Sequence, residues 1–290
     1  MSKAMFYGTG AAEGIPDPFC NCFLCRYARE HGGKDVRTRS MFRVDPTMII
    51  DMGADAYTQA NRYGDFTELT DVLITHTHED HFCYMMMNVW KMATVRSAPC
   101  LNYYFVEKSF DIVDVMRANP VFMKGMLPKM ETQGILQCHK LNFFETYSIG
   151  GKRVTPLKGH HWGNMGDQCA NYLIEMPNGT TLYYGADTGK YEPETMDYLK
   201  QIQLDVLISE CTNGNGEDAM PDPTHLSYTT SLATIRELRA MNILRDDSRI
   251  YLTHINHLHT AYHSRLQDMW DHAKLPNPCT VAWDGLEIEL

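Results

Sequence analysis

The segment "DVLITHTHEDHF" (residues 71–82) sets three histidines and an aspartate close together, directly after an apolar run. Neutral imidazole and carboxylate groups are the usual protein ligands of zinc, manganese and iron. Residues two apart in an extended segment share a face, so His76 and His78 can grip one ion together. If the chain then turns, Asp80 and His81 can reach a second ion, roughly 3.5–4 Å away as in other two-metal sites. The spacing therefore predicts a two-metal site.

Further ligand-type residues follow apolar runs later in the chain. The segment "PLKGHHWG" offers His160 and His161, and we expect one of them to bind metal and the other to be its neighbour. The segment "YYGADTG" presents Asp187, whose two carboxylate oxygens could bridge two ions. Both segments add candidates to the same kind of site.

A third segment, "YLTHINHLH", presents His254, His257 and His259, and at least one of these should complete the second metal. Several apolar runs thus end in a residue that can bind metal: Asp51, His76, Asp187, Glu210 and His254. Loops at strand ends are where rigid scaffolds usually place chemistry. The repetition predicts one site built from several strands.

The segment "PFCNCFLCR" holds three closely spaced thiols, Cys20, Cys22 and Cys25. Buried cysteines can act as small hydrophobic residues, but thiols this close favour a structural zinc. A tetrahedral zinc needs a fourth ligand, and His257, three residues after His254, is the natural one. Such a zinc would staple an N-terminal loop, about residues 14–40, to the strand that carries the active site.

The elements that must position these residues can be read from short apolar runs rich in branched and aromatic side chains. Seven runs predict strands: 4–8, 47–51, 71–75, 171–176, 180–187, 204–210 and 249–254. Helical patterns lie at 107–120, 227–242 and 260–273, with Ser227 as a candidate N-cap. The Met-rich run 83–95 predicts core or a contact between copies of the chain. Strands with interspersed helices favour a layered α/β domain.

Composition narrows the classes of function. The chain has 290 residues, of which 44% are hydrophobic, and a net charge of −10. That charge argues against a nucleic-acid partner, which usually meets a basic face, although the cluster "RTRS" (37–40) could bind a small anion. We find no apolar run of membrane-spanning length, no signal-peptide pattern, no linker and no repeat, and therefore expect one domain over residues 1–290. Nine cysteines without a paired pattern suggest reduced thiols in a cytoplasm.

Taken together, His-x-His-x-Asp-His, a later His, an Asp ending a strand and a final His resemble the metallo-β-lactamase superfamily. The resemblance covers nearly the whole chain and implies an α/β fold, a four-layer αββα sandwich. It implies two metal-ligand sets with Asp187 bridging: His76, His78 and His161 for the first, and Asp80, His81 and His254 for the second. His161 is preferred to His160 because the family's third histidine usually sits in a segment like "PLKAxH". Asp51 resembles the family aspartate that orients the ligand loop rather than binding metal.

The N-terminal stretch "GTGAAEGIPDPFCNCFLC" and the closing "AWDGLEIEL" narrow the resemblance. Both segments resemble the N-terminal signature and the C-terminus of one subgroup of this superfamily. That subgroup contains the phosphonate-pathway cyclic phosphodiesterase, which acts on phosphoribosyl 1,2-cyclic phosphate. Many relatives have Asp where this chain has Glu210, and residues 83–140 align with nothing. The resemblance implies a dinuclear-metal hydrolase of small or cyclic phosphodiesters, in which a metal-bridging hydroxide attacks. It implies His225 as the general acid, and gives Asp80 a catalytic as well as a ligand role.

Three other functions compete with a phosphodiesterase. A ribonuclease of the tRNA 3′-processing type is disfavoured by the negative net charge of the chain and by the lack of an evident basic arm that could clamp tRNA. A lactonase, thioesterase or β-lactamase shares the metal motif but not the cysteine signature or His225. A non-enzymatic metal-binding protein would not need every ligand. We therefore expect two catalytic divalent metals (zinc, manganese or iron), one structural zinc and a small anionic phosphodiester substrate, with no membrane partner; a homodimer remains open.

Overall fold

The apolar runs of the sequence form two β-sheets of seven strands each. The computed structural model describes residues 3–93, 100–119, 125–216 and 224–290. The strands in these residues are β1 (Lys3–Gly8), β2 (Met41–Asp45), β3 (Met48–Ile50), β4 (Asp71–Leu73), β5 (Leu101–Val106), β6 (Leu136–Leu141), β7 (Tyr147–Ile149), β8 (Lys152–Trp162), β9 (Gln168–Glu175), β10 (Thr181–Gly185), β11 (Leu204–Glu210), β12 (Leu244–Thr253), β13 (Cys279–Val281) and β14 (Glu287–Glu289).

The first sheet has the order β14-β1-β2-β3-β4-β5-β6, and the second has the order β13-β12-β11-β10-β9-β8-β7. Strands β3 to β6 pair in parallel, as do strands β10 to β13. The first and last strands of the chain, β1 and β14, are antiparallel neighbours in the same sheet.

Helices cover the outer faces of both sheets. In the described residues they are α1 (Phe23–His31), α2 (Ala56–Tyr63), α3 (Met85–Met92), α4 (Asp111–Ala118), α5 (Leu127–Thr132), α6 (Pro193–Leu199), α7 (Tyr228–Ala240) and α8 (His263–Asp271). Among these residues, no helix has the length and apolar character needed to span a membrane.

Successive side chains of each strand point to opposite faces of its sheet, and together they form three apolar layers. In β3, Ile50 faces the space between the sheets and packs with Tyr172 of β9. Its neighbour Ile49 points to the outer face and packs with Met87 of α3, because successive side chains of a strand point to opposite faces. Leu252 of β12 likewise lies in the layer between the second sheet and the helices α7 and α8. Helix, sheet, sheet and helix therefore stack as a four-layer αββα sandwich, which confirms the expected fold class.

The predicted elements lie where the structure has elements of the same kind, but several described strands, β2, β5 and β6 among them, were not predicted. All seven predicted strand runs overlap strands, and the predicted helices overlap α4, α7 and α8. The Ser227 side chain accepts hydrogen bonds from the amides of Thr229 and Thr230, which confirms the predicted N-cap. Pro120, the last residue of the 107–120 helix prediction, lies outside the described residues.

The Met-rich run forms α3 and serves partly as core. Met87 and Trp90 are buried against the first sheet, whereas Met85 and Met92 are exposed. The last two residues of the predicted run, 94 and 95, lie outside the described residues.

Candidate metal centre

The chain gathers its histidines and acids at one edge of the sandwich, where strands from both sheets end. Asp51 follows β3, and the His76–His81 segment follows β4 in the first sheet. In the second sheet, Asp187 and His254 follow the parallel strands β10 and β12. Because the carboxyl ends of parallel strands share an edge, one cluster draws residues from distant parts of the chain.

The first group of ligand-type atoms comes from His76, His78, His161 and Asp187, and all of these atoms lie within 4.8 Å of one another. His78 Nδ1 lies 2.9 Å from His76 Nε2 and 3.3 Å from His161 Nε2. Asp187 Oδ2 lies 3.3 Å from His76 Nε2 and 3.4 Å from His161 Nε2. Three ring nitrogens and one carboxylate oxygen thus converge on a single point.

The second group contains Asp80, His81, His254 and again Asp187. His81 Nε2 lies 3.1 Å from Asp80 Oδ2 and 3.3 Å from Asp187 Oδ2. His254 Nε2 lies 3.7 Å and 3.6 Å from the same two oxygens. Asp187 Oδ2 therefore belongs to both groups, as a bridging carboxylate would.

The chemistry of these donors fits divalent cations. Nε2 of His81 and Nε2 of His254 are buried without a hydrogen bond. Burying such polar atoms unpaired is costly, and a shared cation would satisfy them together with the neighbouring carboxylates. Nitrogen and oxygen donors suit zinc, manganese and iron alike.

Three residues of this edge adopt a backbone conformation that L-amino acids rarely occupy. Asp51, Asp187 and His254 have φ values of 64°, 52° and 58°. Left-handed conformations in residues other than glycine persist only where surrounding contacts impose them, and they concentrate at functional sites.

Asp51 orients the ligand loop from beneath, as the family resemblance implied. Its Oδ2 lies 2.7 Å from His81 Nδ1, and its Oδ1 accepts hydrogen bonds of 2.9 Å from the amide and the hydroxyl of Thr75. With Nδ1 donating to Asp51, Nε2 of His81 keeps its lone pair for the cluster.

Glu210 is a buried carboxylate that holds the backbone next to Asp187 and His225, and the sequence did not indicate this role. Its Oε1 accepts hydrogen bonds from the amides of Thr188 (2.7 Å) and Gly189 (2.5 Å), directly after Asp187. Its Oε2 accepts from the amide of Leu226 at 2.8 Å, next to His225. Burial favours the neutral acid, but His225 outweighs it and holds the pKa of Glu210 below its ordinary value. The only sequence signal was a carboxylate ending a buried strand.

Glu210 also sets the tautomer of His254 through Thr212. The Thr212 hydroxyl donates to Glu210 Oε2 at 2.5 Å and lies 2.9 Å from His254 Nδ1. A hydroxyl that has given its proton to a carboxylate accepts from the imidazole, so Nδ1 carries the hydrogen and Nε2 faces the cluster.

Asp167 anchors the loop between His76 and His78, and no sequence signal pointed to it. This buried carboxylate accepts hydrogen bonds from the amide (3.0 Å) and hydroxyl (2.6 Å) of Thr77 and from the hydroxyl of Ser109 (2.6 Å). The network fixes the backbone from which both histidines project.

His225 stands beside the cluster, with its Nδ1 2.9 Å from Asp187 Oδ1 and 3.7 Å from Glu210 Oε2. Its side chain is 33% exposed, so the ring also faces solvent. Burial lowers the pKa of His225, but Asp187 and Glu210 outweigh it and raise that pKa to about 11.

The structure places His161, and not His160, in the first group of ligand atoms. His160 Nδ1 instead lies 2.9 Å from Glu192 Oε1. The pairing of β8 with β9 shifts register between Lys158 and Trp162, and such irregularities re-aim side chains at active sites.

A second cluster forms at the N-terminal loop from Cys20, Cys22, Cys25 and His257. Cys22 Sγ lies 3.6 Å from His257 Nδ1, and His257 Nε2 lies 3.2 Å from Asp17 Oδ2. Burial raises the pKa of the Cys22 thiol, but hydrogen bonds with His257 and Cys25 outweigh it and lower that pKa to about 6. His254 and His257 thus lie in two different clusters, and His259 belongs to neither.

The histidine cluster opens into a cavity of about 200 Å³. Its lining among the described residues is Ala11, Ala12, Glu13, His78, Asp80, His161, Asp187, Thr212, His225, His254 and Asn256. The "RTRS" arginines do not reach it. Arg37 is buried and donates to Thr9, while Arg39 pairs with Asp55 at 2.9 Å. Both arginine side chains are thus engaged by other residues, which does not favour the small-anion site that this cluster could have formed.

The family model of the beta-lactamase superfamily domain matches residues 47–255. The chain belongs to this superfamily, on its metallo-β-lactamase branch, and the superfamily is hydrolytic. The similar solved structures do not define a narrower family for this chain. Their sequence identities to it are low, so they show the fold alone.

Three of these structures illustrate the range of proteins that share this fold. A diphosphatase from the PhnP family is 20% identical, with 100% of this chain and 98% of that chain covered and a TM-score of 0.71. Zinc-bound PqqB from Methylobacterium extorquens is 18% identical, with 99% and 100% covered and a TM-score of 0.73. The short form of human tRNase Z is 16% identical, with 99% and 98% covered and a TM-score of 0.62.

Among curated proteins, an octanoyltransferase from Porphyromonas gingivalis is 31% identical over 83 residues. That match covers 27% of this chain and 16% of the octanoyltransferase. The chain thus matches about a sixth of that protein's length.

Proposed function

We propose that this chain is a dinuclear-metal hydrolase that cleaves small or cyclic phosphodiesters. The observation that carries the proposal is the pair of ligand groups that share Asp187 Oδ2, with His225 beside them in one cavity. A phosphodiester needs charge neutralisation at phosphorus and a proton for the leaving oxygen, and this cavity has groups suited to both.

The residues that would hold the two ions are His76, His78 and His161 for one, Asp80, His81 and His254 for the other, and Asp187 for both. Divalent ions there would polarise the phosphoryl oxygens and lower the pKa of a bound water toward 7. The protein's part is to fix the donor geometry, through the hydrogen bonds of Asp51 and Thr212 to the ligand histidines.

His225 would donate the proton that the leaving oxygen requires. Its Nδ1 faces Asp187 and Glu210, so both acids orient the ring and favour its protonated form. The Nε2 hydrogen is then the one available for transfer toward the cavity. This role separates the chain from lactonases and thioesterases in the same superfamily.

The cysteine cluster would hold a structural zinc on Cys20, Cys22, Cys25 and His257. Three thiolates and one imidazole are a common tetrahedral zinc set. The contact of His257 Nε2 with Asp17 supports this assignment, because zinc-binding histidines usually donate their second nitrogen to a carboxylate.

A substrate panel tests the proposed function. The metal-loaded protein is assayed on a nucleoside 2′,3′-cyclic phosphate, bis(p-nitrophenyl) phosphate, a precursor tRNA, an acyl lactone and a thioester. We expect kcat/KM to be highest for the two small phosphodiesters. Turnover of the lactone or thioester with none of any phosphodiester would refute the proposal, and a strong preference for the tRNA would make the chain a ribonuclease.

A further inference from the structure

The described lining of the cavity contains acids and histidines but no lysine or arginine. Its three carboxylates are Asp80, Asp187 and Glu13. The first two belong to the groups of candidate metal ligands, whereas Glu13 belongs to neither. A bound phosphate would therefore meet one carboxylate whose charge no ligand role accounts for.

Glu13 is held in place by its backbone. It lies in a turn closed by a 2.9 Å hydrogen bond from the amide of Gly14 to the carbonyl of Ala11. The amide of Ala11 donates to the carbonyl of Ile255 at 3.0 Å, which ties the turn to the residue after His254. The Arg39 side chain donates to the carbonyl of Ala12 at 2.7 Å. The turn therefore cannot swing away from the cavity without breaking the two hydrogen bonds that tie it to Ile255 and Arg39.

Among the described residues, Glu13 has one ion-pair contact, and it is long: His257 Nε2 lies 3.7 Å from Glu13 Oε1. The same nitrogen lies closer to Asp17, at 3.2 Å, so that acid takes its hydrogen. The Glu13 side chain is 29% exposed, and Glu13 is one of the residues that line the cavity.

We propose that Glu13 is a specificity-determining residue that selects phosphodiesters with a single negative charge over dianionic phosphate esters. This inference rests on the proposed function, because it concerns phosphates bound at the metal cluster. Coulomb repulsion grows with the ligand's charge, so a dianion suffers twice the unfavourable energy of a monoanion. The selection also helps release, because hydrolysis of a diester by water yields a monoester that is mostly dianionic above pH 7.

The test compares the metal-loaded wild type with Glu13→Gln, which keeps the shape of the side chain and removes its charge. The probes are dimethyl phosphate, a monoanion, and methyl phosphate, which is mainly a dianion at pH 8. Glu287→Gln is the matched control, because it removes the same charge from the exposed Lys3–Glu287 pair. Dissociation constants are measured by calorimetry, and the metal content of each protein is determined in parallel.

We expect Glu13→Gln to lower the dissociation constant of dimethyl phosphate about threefold and that of methyl phosphate about tenfold. The second factor is about the square of the first, because the dianion loses twice the repulsion energy. Both gains should shrink in 1 M salt, and metal content should not change. Equal gains on both probes, or none, would overturn the inference. Hydrolysis is read separately: binding of both probes without turnover of any phosphodiester would refute the proposed function, while the ratio of gains would still decide the role of Glu13.

Discussion

At the scale of single residues, the candidate ligands and the supporting Asp51 could be predicted from the sequence, but the other supporting residues could not. His76, His78 and Asp187 stand directly after apolar runs, so their local context shows that they follow strands. Thr212 and Asp167 have no such context. Their value depends on partners 42 and 90 residues away, His254 and Thr77, which only the fold brings within hydrogen-bond distance.

The neighbouring histidines of β8 give a prediction at this scale. His161→Ala should lose metal from the first site and most activity, because its Nε2 lies with the other donors. His160→Ala should keep its metal, because that ring contacts Glu192 instead. Elemental analysis after dialysis and kcat/KM on bis(p-nitrophenyl) phosphate give the two readouts.

Each variant serves as the other's control, since both remove an imidazole from the same strand. The reverse ranking, with metal lost from His160→Ala only, would transfer the ligand role to His160. In that case the register shift in β8 would not be what directs the ligand histidine toward the cluster.

At the scale of elements, apolar runs with branched residues predicted their strands well, while the edge strands and some interior strands, β2 and β5 among them, were missed. β6 is the outermost strand of the first sheet and has the sequence "LQCHKL". Its polar residues give no clear alternation, so its strand form depends on parallel pairing with β5. β14, at the opposite edge, is three residues long and depends likewise on β1. Pairing between distant segments leaves little trace in local sequence.

The N-terminal loop yields a prediction about an element. Cys22 is both a candidate zinc ligand and the N-cap of α1, where its side chain accepts from the amide of Cys25. Cys22→Ser can still cap the helix but binds zinc poorly. We expect the wild type to carry about three metals per chain and the variant about two, with a lower melting temperature, because structural zinc contributes folding energy.

The control is Cys279→Ser, which changes a thiol outside the candidate cluster. It should keep all three metals. If Cys22→Ser keeps the metal content and melting temperature of the wild type, the cluster does not hold a structural zinc.

At the scale of the whole molecule, the two sheets present the carboxyl ends of their parallel strands at one edge. The first sheet supplies the segment His76–His81, and the second supplies Asp187 and His254, so neither sheet holds a complete ligand group. Several ligand-type strand ends predicted one shared site, and the family resemblance assigned the residues to its two halves. The orientation of Glu210 and the cavity position of Glu13 follow from packing between distant segments, which no local pattern encodes.

The central claim is that this edge cleaves phosphodiesters with His225 as the proton donor, and leaving-group dependence tests it most directly. The measurement compares kcat of the metal-loaded wild type and His225→Ala on bis(p-nitrophenyl) phosphate and on a nucleoside 2′,3′-cyclic phosphate. General acid catalysis typically contributes 10²–10⁴-fold, and an activated nitrophenolate departs without it. We predict a loss in that range for the cyclic phosphate, a much smaller loss for the nitrophenyl ester, and unchanged metal content. Equal losses on both substrates would contradict the proton-donor role, and lost metal would make His225 a ligand instead.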